Sequence, residues 1–205
     1  METPIKHNTM SKINTIAIYG DIGTGKTALA YKIIDLFKGK KQVYFVKHPK
    51  PRIIEKLGYK NMYSLERMEK IENALIYLDE PQLYVSIYDH KTNSIIAKIC
   101  SLARQRNITL LISSSDTRVF TKHNESYFDA WCIKDVDFNF VKNGSLIKYA
   151  IKNVAVLDPS GFQLDDNEFV FWSRKLNEWN GKYKFVKPTY FTDEHSKPYK
   201  NSENF

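Results

Sequence analysis

Residues 20–27 have the sequence GDIGTGKT, in which the glycines, the lysine and the threonine are spaced for phosphate chemistry. Glycines let a loop turn tightly enough for several backbone N–H groups to point at one anion, and a helix that begins there adds the positive end of its dipole. A lysine and a hydroxyl residue at the end of such a loop can reach a terminal phosphate and a magnesium ion. The segment therefore predicts a loop that binds a nucleoside triphosphate.

The spacing fits the Walker A pattern of Gly, four residues, Gly, Lys and then Ser or Thr. Lys26 is expected to reach the β- and γ-phosphates, and the hydroxyl of Thr27 is expected to coordinate Mg²⁺. ATP and Mg²⁺ are therefore the predicted cofactors. The predicted nucleotide contacts are the eight residues of the loop: Gly20, Asp21, Ile22, Gly23, Thr24, Gly25, Lys26 and Thr27.

Two adjacent carboxylates follow the apolar segment ALIYL at residues 74–78. The pair resembles a Walker B site, in which Asp79 would hold Mg²⁺ through its water shell and Glu80 would accept a proton from an attacking water. A single aspartate would suffice for a kinase or a molecular switch, so the pair favours hydrolysis. The alternative interpretation of Glu80, a surface residue at the end of a strand, stays open at this point.

The elements that must position these residues alternate between strands and helices. Strands are predicted at residues 14–19, 42–47, 74–78, 108–112 and 128–134, and helices at residues 26–37, 52–57, 64–71 and 92–106. An apolar strand without alternation, such as ALIYL, is usually buried on both faces, as parallel strands between layers of helices are. The order predicts an α/β fold with right-handed crossovers.

The pattern changes after the fifth predicted strand. An Asn-Gly turn at residues 143–144 predicts an antiparallel hairpin with strands at 137–141 and 146–151. An aromatic helical stretch is predicted at residues 169–179, followed by an extended tail. The predicted organisation is an N-terminal tail at 1–13, a core with the hairpin at 14–157, and a C-terminal extension at 158–205 that packs on the core or on a neighbour.

Composition excludes several classes of protein. The 205 residues are 42% hydrophobic and 26% charged, which is typical of a globular protein and not of a disordered chain. No segment has the length of a membrane span or the apolar core of a signal peptide, and the two cysteines, Cys100 and Cys132, lie in apolar or amphipathic segments. We therefore expect reduced, buried thiols, no stable membrane span and a cytoplasmic location, which is the host cytoplasm if the protein is viral.

The net charge of +8 is unevenly distributed. The first 60 residues hold twelve Lys and Arg residues against four Asp and Glu residues, and the rest of the chain is neutral. This basic region is either a solvated face or a surface for a polyanion such as DNA. Aromatic residues interleaved with lysines near the C-terminus have the same two interpretations, packing or nucleic-acid contact: Trp172, Trp179, Tyr183, Phe185, Tyr190 and Phe191.

The order of the segments GDIGTGKT, IYLDE, ARQR and a strand ending in three serines, over residues 14–135, resembles the additional-strand class of P-loop ATPases, and within it the FtsK/HerA group. Because the chain is short, it is most similar to the genome-packaging ATPases of viruses with internal membranes, including the archaeal turreted icosahedral viruses. The resemblance implies a RecA-like sheet with helices on both faces, in which the sensor strand separates the Walker A strand from the Walker B strand.

The resemblance also implies a function. Members of this group assemble into homo-oligomeric rings that translocate double-stranded DNA, here into a viral capsid, with capsid or portal-vertex proteins as further candidate partners. Arg104 or Arg106 would reach the γ-phosphate of a neighbouring subunit, although cations at a helix C-terminus are also favoured for structural reasons. Ser114, or Ser115 beside it, would be the γ-phosphate sensor. Relatives usually have a glutamine there, so this position departs from the pattern.

Other classes share part of the pattern. An AAA+ ATPase would follow the fifth strand with a helical lid, and an assembly ATPase resembling the zonula occludens toxin group would usually add a membrane span. A small-molecule kinase would need an acceptor pocket and an arginine-rich lid. A binding module without catalysis remains an alternative if Glu80 points away from the nucleotide.

Overall fold

The computed structural model describes residues 12–83, 90–116, 126–136 and 164–196, together with Met10, Val119 and Phe120. The strands are β1 (Thr15–Tyr19), β2 (Gln42–Val46), β3 (Lys60–Met62), β4 (Ala74–Asp79), β5 (Thr109–Ser114), β6 (Ala130–Ile133), β7 (Glu168–Ser173) and β8 (Gly181–Lys184). The α-helices are α1 (Lys26–Phe37), α2 (Pro51–Lys56), α3 (His90–Ala103) and α4 (Asp193–Ser196). Short 3₁₀ helices span Leu65–Lys70, Pro81–Leu83 and Asn177–Trp179.

The strands form one sheet in the order β3-β2-β4-β5-β1-β6-β7-β8. The pairs from β3 to β6 are parallel, and β7 and β8 are antiparallel to their neighbours. Strand β5 therefore lies between β1 and β4, as the resemblance implies. In this register Ser113 lies beside Asp79 on one side and beside Ile18 on the other.

Alternate residues of the buried strands pack into two apolar clusters, one on each face of the sheet. On β1, Ile16 and Ile18 pack with α1, whereas Ala17 and Tyr19 pack with the other cluster, which includes Ile99 of α3. Strands β1, β4 and β5 are buried at every position because both of their faces are covered. The predicted α/β fold with helices on both faces of the sheet is confirmed.

The C-terminal part of the sheet corrects the sequence prediction. The stretch at residues 169–179 is not an aromatic helix, because Glu168–Ser173 is strand β7. Phe169 and Phe171 pack with α1, whereas Val170 and Trp172 pack into the opposite cluster. A continuous apolar run of this length does not distinguish a helix from a strand buried on both faces, which explains the error.

Other boundaries also differ from the predictions. The predicted hairpin at 137–151 lies outside the described residues, and the antiparallel pairs that the structure describes are β6 with β7 and β7 with β8. Strand β3 was not predicted, since its sequence KNM is short, polar and at the edge of the sheet. The helix predicted at 64–71 is the 3₁₀ helix Leu65–Lys70.

The aromatic side chains near the C-terminus pack on their own chain. Trp172 and Phe185 are buried, while Trp179, Tyr183, Tyr190 and Phe191 are partly buried against the cluster that includes α1. The Tyr190 hydroxyl also donates a hydrogen bond to Asp35 Oδ1 of α1 at 2.6 Å. These contacts favour the packing interpretation of the aromatic residues over nucleic-acid contact.

Two further features of the described residues concern the thiols and the helices. Cys100 and Cys132 are free, and burial raises the pKa of each thiol to about 12. Such thiols carry little thiolate at neutral pH and are unreactive. None of the described helices combines the length and the apolar character needed to cross a bilayer.

Candidate active site

The glycine-rich loop connects β1 to α1. Gly23 and Gly25 have φ angles of +87° and +85°, in the left-handed region that glycine adopts without steric cost. Gly25 is the N-cap residue of α1, and its carbonyl accepts the hydrogen bond from the Leu29 N–H. The loop therefore leads into a helix N-terminus, where backbone N–H groups and the helix dipole favour an anion.

Two glycines of the loop also allow close packing against the rest of the sheet. A Cβ atom at Gly20 would lie 2.5 Å from Lys134 Cβ and 2.9 Å from Thr24 Oγ1, and one at Gly25 would lie 2.8 Å from the Asp166 carbonyl oxygen. Such distances are too short for any side chain. The loop is thus held between the end of β6 and the segment that precedes β7.

Lys26 links the loop to the acidic pair. Its buried ammonium group lies 3.2 Å from Glu80 Oε1 and donates a hydrogen bond to the Asp21 carbonyl at 2.9 Å. The fold thereby brings together the two predicted motifs, which are distant in sequence. The predicted magnesium ligands are close as well, since Thr27 and Asp79 line the same cavity of about 460 Å³.

Asp79 ends β4, and its side chain is buried between polar partners and the cavity. Its Oδ1 atom accepts hydrogen bonds from the Tyr77 hydroxyl at 2.8 Å and from the Ser113 hydroxyl at 2.5 Å. Burial raises the pKa of Asp79 to about 6, and the charge of Glu80 adds to this rise, while the two hydrogen bonds and Lys26 oppose it. A bound cation would favour the charged form of this carboxylate.

The chemistry of these donors fits a magnesium ion. Mg²⁺ binds oxygen ligands, commonly one or two carboxylates together with substrate phosphates and water. Asp79 supplies a buried carboxylate and Thr27 a hydroxyl, and both face the cavity that the phosphate loop lines. Among the described residues, no group of three or more His, Cys, Asp or Glu residues forms a metal site made by protein alone.

Glu80 is held inward by both of its oxygens. Oε1 faces Lys26, and Oε2 accepts hydrogen bonds from the Ser115 N–H at 2.9 Å, from the Ser115 hydroxyl at 3.2 Å and from the Gln82 amide. The residue also has a φ of +43°, which is uncommon outside glycine and typical of strained functional sites. These contacts argue against the interpretation of Glu80 as a surface residue.

Each of the three serines is connected to the acidic pair by a different hydrogen bond, two of them directly and one through Gln82. Ser113 bonds to Asp79, Ser115 bonds to Glu80, and the Ser114 hydroxyl donates to Gln82 Oε1 at 2.9 Å. Among the described residues, the predicted sensor Ser114 reaches Glu80 through Gln82. Sequence reasoning missed Gln82. The signal available was an amide two residues after the acid pair, in the segment DEPQ.

The two arginines lie far from the nucleotide loop of their own chain. Arg104 and Arg106 are in the turn between α3 and β5, beside the N-terminal ends of the parallel strands. The phosphate loop follows the C-terminal end of β1. A strand of six residues is about 20 Å long, and this length separates the two ends of the strands. Arg104 is exposed, whereas the Arg106 guanidinium donates to the Glu69 carbonyl. Their predicted role on a neighbouring subunit stays a prediction.

No protein-family model and no curated protein matches this sequence. Its structure, however, is similar to that of the pCW3 conjugation coupling protein TcpA with ATPγS, with a TM-score of 0.63 and 16% identity over 94% of this chain. The DNA-packaging ATPase B204 from Sulfolobus turreted icosahedral virus gives a TM-score of 0.63 and 14% identity over 84% of this chain. The fold is that of a P-loop ATPase.

A third solved structure agrees with this assignment. The genome packaging NTPase B204 from Sulfolobus turreted icosahedral virus 2, in complex with ATPγS, has a TM-score of 0.61 and 12% identity over 84% of this chain. The chain covers 98% of each B204 chain but only 65% of the TcpA chain. At these identities the likeness concerns the fold, and at that level it confirms the resemblance found in the sequence.

Replacing Asp79 with Asn is expected to remove a pH dependence from the stability of the protein without nucleotide. Folding raises the pKa of Asp79 from 3.8 to about 6, so the folded protein holds a proton that the unfolded chain releases between these values. Through this group the free energy of unfolding falls as the pH rises across that window. Urea unfolding from about pH 4 to 7 should therefore show Asp79→Asn gaining stability relative to the wild type.

The exposed residue Glu194 provides the control for this measurement. Glu194→Gln, measured in the same way, shows what the removal of an acidic side chain from the surface does to the stability curve. If the difference between Asp79→Asn and the wild type is constant with pH, the raised pKa of Asp79 is wrong.

Proposed function

We propose that this protein is an ATP-hydrolysing motor that assembles into a ring and moves double-stranded DNA, packaging a viral genome into a capsid. The observation that carries the proposal is the convergence of Lys26, Asp79 and Glu80 at the mouth of a phosphate loop. Solved structures with the same fold support the DNA substrate, since one is a DNA-packaging ATPase and another a conjugation coupling protein.

In this proposal the loop and Lys26 bind the phosphates. The Lys26 ammonium group, which lies 3.2 Å from Glu80 Oε1, would turn to the β- and γ-phosphates, and Glu80 Oε1 would lose this partner. Asp79 and Thr27 would hold Mg²⁺, which neutralises phosphate charge when it is bound. Binding of a triphosphate would thus free Glu80 Oε1 from its contact with Lys26.

Glu80 would act as the general base. Ser115 and Gln82 hold Oε2, so the side chain keeps one orientation while Oε1 accepts the proton of the attacking water. A base fixed through one oxygen is positioned without further ordering when the reaction occurs. The same arrangement gives a kinase no advantage, because a kinase must exclude water from the γ-phosphate.

Two pairs of the described basic residues in the first third of the chain lie at opposite ends of strand β2. Lys38 and Lys40 precede β2, whereas Lys50 and Arg52 follow it, at the edge that also carries the phosphate loop. A DNA surface made by the second group would be close to the site of hydrolysis. Lys38 and Lys40 then serve as a comparison, since they carry the same charge at the other end of β2.

The ATPase rate should rise when duplex DNA is added, and the stimulation should weaken as the salt concentration rises. Reversing two charges with Lys50→Glu and Arg52→Glu should lower the stimulation and flatten its salt dependence. The slope of log binding constant against log salt concentration should fall by about two, one for each lost phosphate contact. The matched control, Lys38→Glu with Lys40→Glu, makes the same change in net charge at the other edge. Equal effects of the two pairs would contradict a local DNA surface, and no stimulation in the wild type would contradict the motor.

Lys26→Ala and Glu80→Gln should separate binding from hydrolysis. Without its ammonium group, the Lys26→Ala variant should lose ATP binding, because the phosphate charge is no longer balanced. Glu80→Gln should keep ATP bound and hydrolyse it about 10²- to 10⁴-fold more slowly, which is the usual contribution of a general base. Equilibrium binding and steady-state turnover check both. Normal hydrolysis by Glu80→Gln would exclude it as the base, and no turnover in the wild type would favour a binding module.

The role of the exposed Arg104 can be tested in mixed rings. Arg104→Ala alone should be inactive, and so should Lys26→Ala alone. In an equal mixture, about a quarter of the interfaces should pair an intact loop with an intact arginine and regain turnover. Arg106→Ala provides the comparison, since its guanidinium bonds to the Glu69 carbonyl of its own chain. Absence of rescue with either arginine variant would contradict a shared active site.

A further inference from the structure

The cavity that holds the phosphate loop has a second wall, which belongs to the C-terminal part of the same chain. Its residues come from three short segments after residue 163: Asp166, Lys187, Phe191, Asp193 and Ser196. We infer that this C-terminal wall is the subsite for the nucleoside half of the bound triphosphate. The inference rests on the proposed function and deepens it, because it assigns recognition of the ribose and the base to residues that no sequence motif marks.

The size of the cavity fits more than a chain of phosphates. Its volume is about 460 Å³, within the range of about 300–1,000 Å³ found for pockets that enclose a whole small-molecule ligand. Thr27 and Ala28 of α1 line it together with Phe191, so the space continues from the phosphate loop along the first turn of the helix. A triphosphate bound at the loop would leave this continuation for its nucleoside.

The C-terminal wall is anchored to α1. The Tyr190 hydroxyl donates to Asp35, and the Phe191 ring packs at 5.3 Å from the Tyr31 ring, in an edge-to-face arrangement. The His195 ring also lies 5.3 Å from the Tyr31 ring. Tyr31 and Asp35 are one and two turns beyond the phosphate loop, so the wall is fixed to the same helix that carries the loop.

A second attachment lies beneath the loop. Lys134, which is fully buried, donates to the carbonyl oxygens of Asp166 at 2.8 Å, Asp165 at 3.4 Å and Glu168. The Asp166 carbonyl is the atom that a Cβ at Gly25 would meet at 2.8 Å. The segment before β7 therefore touches the phosphate loop directly, and the two walls of the cavity have a defined spacing.

The side chains of the C-terminal wall have the chemistry that a nucleoside requires. The Phe191 ring offers an aromatic surface on which any base can stack. The Asp193 carboxylate accepts hydrogen bonds, and a carboxylate is the group that nucleotide-binding folds often use for ribose hydroxyls. Ser196 adds a hydroxyl, and Lys187 adds a positive charge that suits the phosphate end of the ligand. The phosphate loop alone could not distinguish ATP from inorganic tripolyphosphate.

The test compares these two ligands. Asp193→Asn should bind ATP about tenfold more weakly than the wild type, the usual effect of losing one charge-assisted hydrogen bond, and should bind tripolyphosphate undiminished. The matched control is Glu194→Gln, which neutralises the neighbouring exposed carboxylate outside the cavity and should change neither affinity. Titration calorimetry with the full chain and Mg²⁺ measures both ligands.

Two further measurements separate the ribose from the base. With 2′,3′-dideoxy-ATP, the difference between Asp193→Asn and the wild type should disappear, because the hydroxyls that Asp193 would hold are missing. Phe191→Leu should weaken ATP and dideoxy-ATP alike and spare tripolyphosphate, while Phe191→Tyr, which keeps the ring, should bind as the wild type does. Because Phe191 packs on Tyr31, the unfolding midpoint of each variant is measured first. If Phe191→Leu fails to fold, the measurements on Asp193→Asn still test the inference.

The outcomes distinguish failure of this inference from failure of the proposed function. Equal weakening of ATP and tripolyphosphate by Asp193→Asn would overturn the inference, since the wall would then only support the loop. Wild-type affinity for ATP in both Asp193→Asn and Phe191→Leu would overturn it as well. If Lys26→Ala keeps its affinity for tripolyphosphate, the phosphate site itself is wrong and the proposed function fails with it.

Discussion

The insertion of β5 between β1 and β4 is the constraint on which the candidate site depends. It places the serines at the end of β5 beside the acidic pair at the end of β4, with the phosphate loop on the other side. Ser113 then bonds to Asp79, and Ser115 bonds to Glu80. If β1 and β4 were direct neighbours, those hydrogen bonds would need other donors, and the buried carboxylate of Asp79 would lose the one from Ser113. The strand order therefore supplies the hydrogen-bond donors that stabilise the carboxylates of the site.

Within the protein, the charges of the site partly balance one another. Lys26 is buried beside Glu80, which offsets the cost of removing both groups from water. Burial keeps the pKa of Asp79 high, at about 6, in spite of its hydrogen bonds. A triphosphate with its cation would attract Lys26 and favour the ionised form of Asp79. Binding thus exchanges an internal ion pair for contacts with the ligand and leaves Glu80 held only by Ser115 and Gln82.

The parts of the site that the sequence predicts are those set by local chain geometry. The phosphate loop needs only neighbouring residues, and the acid pair follows a strand that its apolar run identifies, so both could be placed before the structure was known. The role of Lys134 could not be predicted, because the Asp166 carbonyl that it bonds lies 32 residues away in sequence. Gln82 stands two residues after Glu80, but its hydrogen bond with Ser114 also spans 32 residues. Strand β7 was mistaken for a helix for a related reason: its residues are apolar on both faces only because a sheet of distant strands surrounds it.

The placement of the arginines constrains any assembly in which they act. The phosphate loop lies where the parallel strands end, whereas Arg104 lies where they begin. A two-fold dimer brings the same surface of each chain together, so it would not bring Arg104 of one chain to the loop of the other unless both edges shared one interface. A head-to-tail contact pairs opposite edges directly, and such contacts close into rings when the rotation between neighbours permits. The proposed ring is therefore consistent with the strand order that builds the site, because the phosphate loop lies at one end of the parallel strands and the exposed arginine at the other.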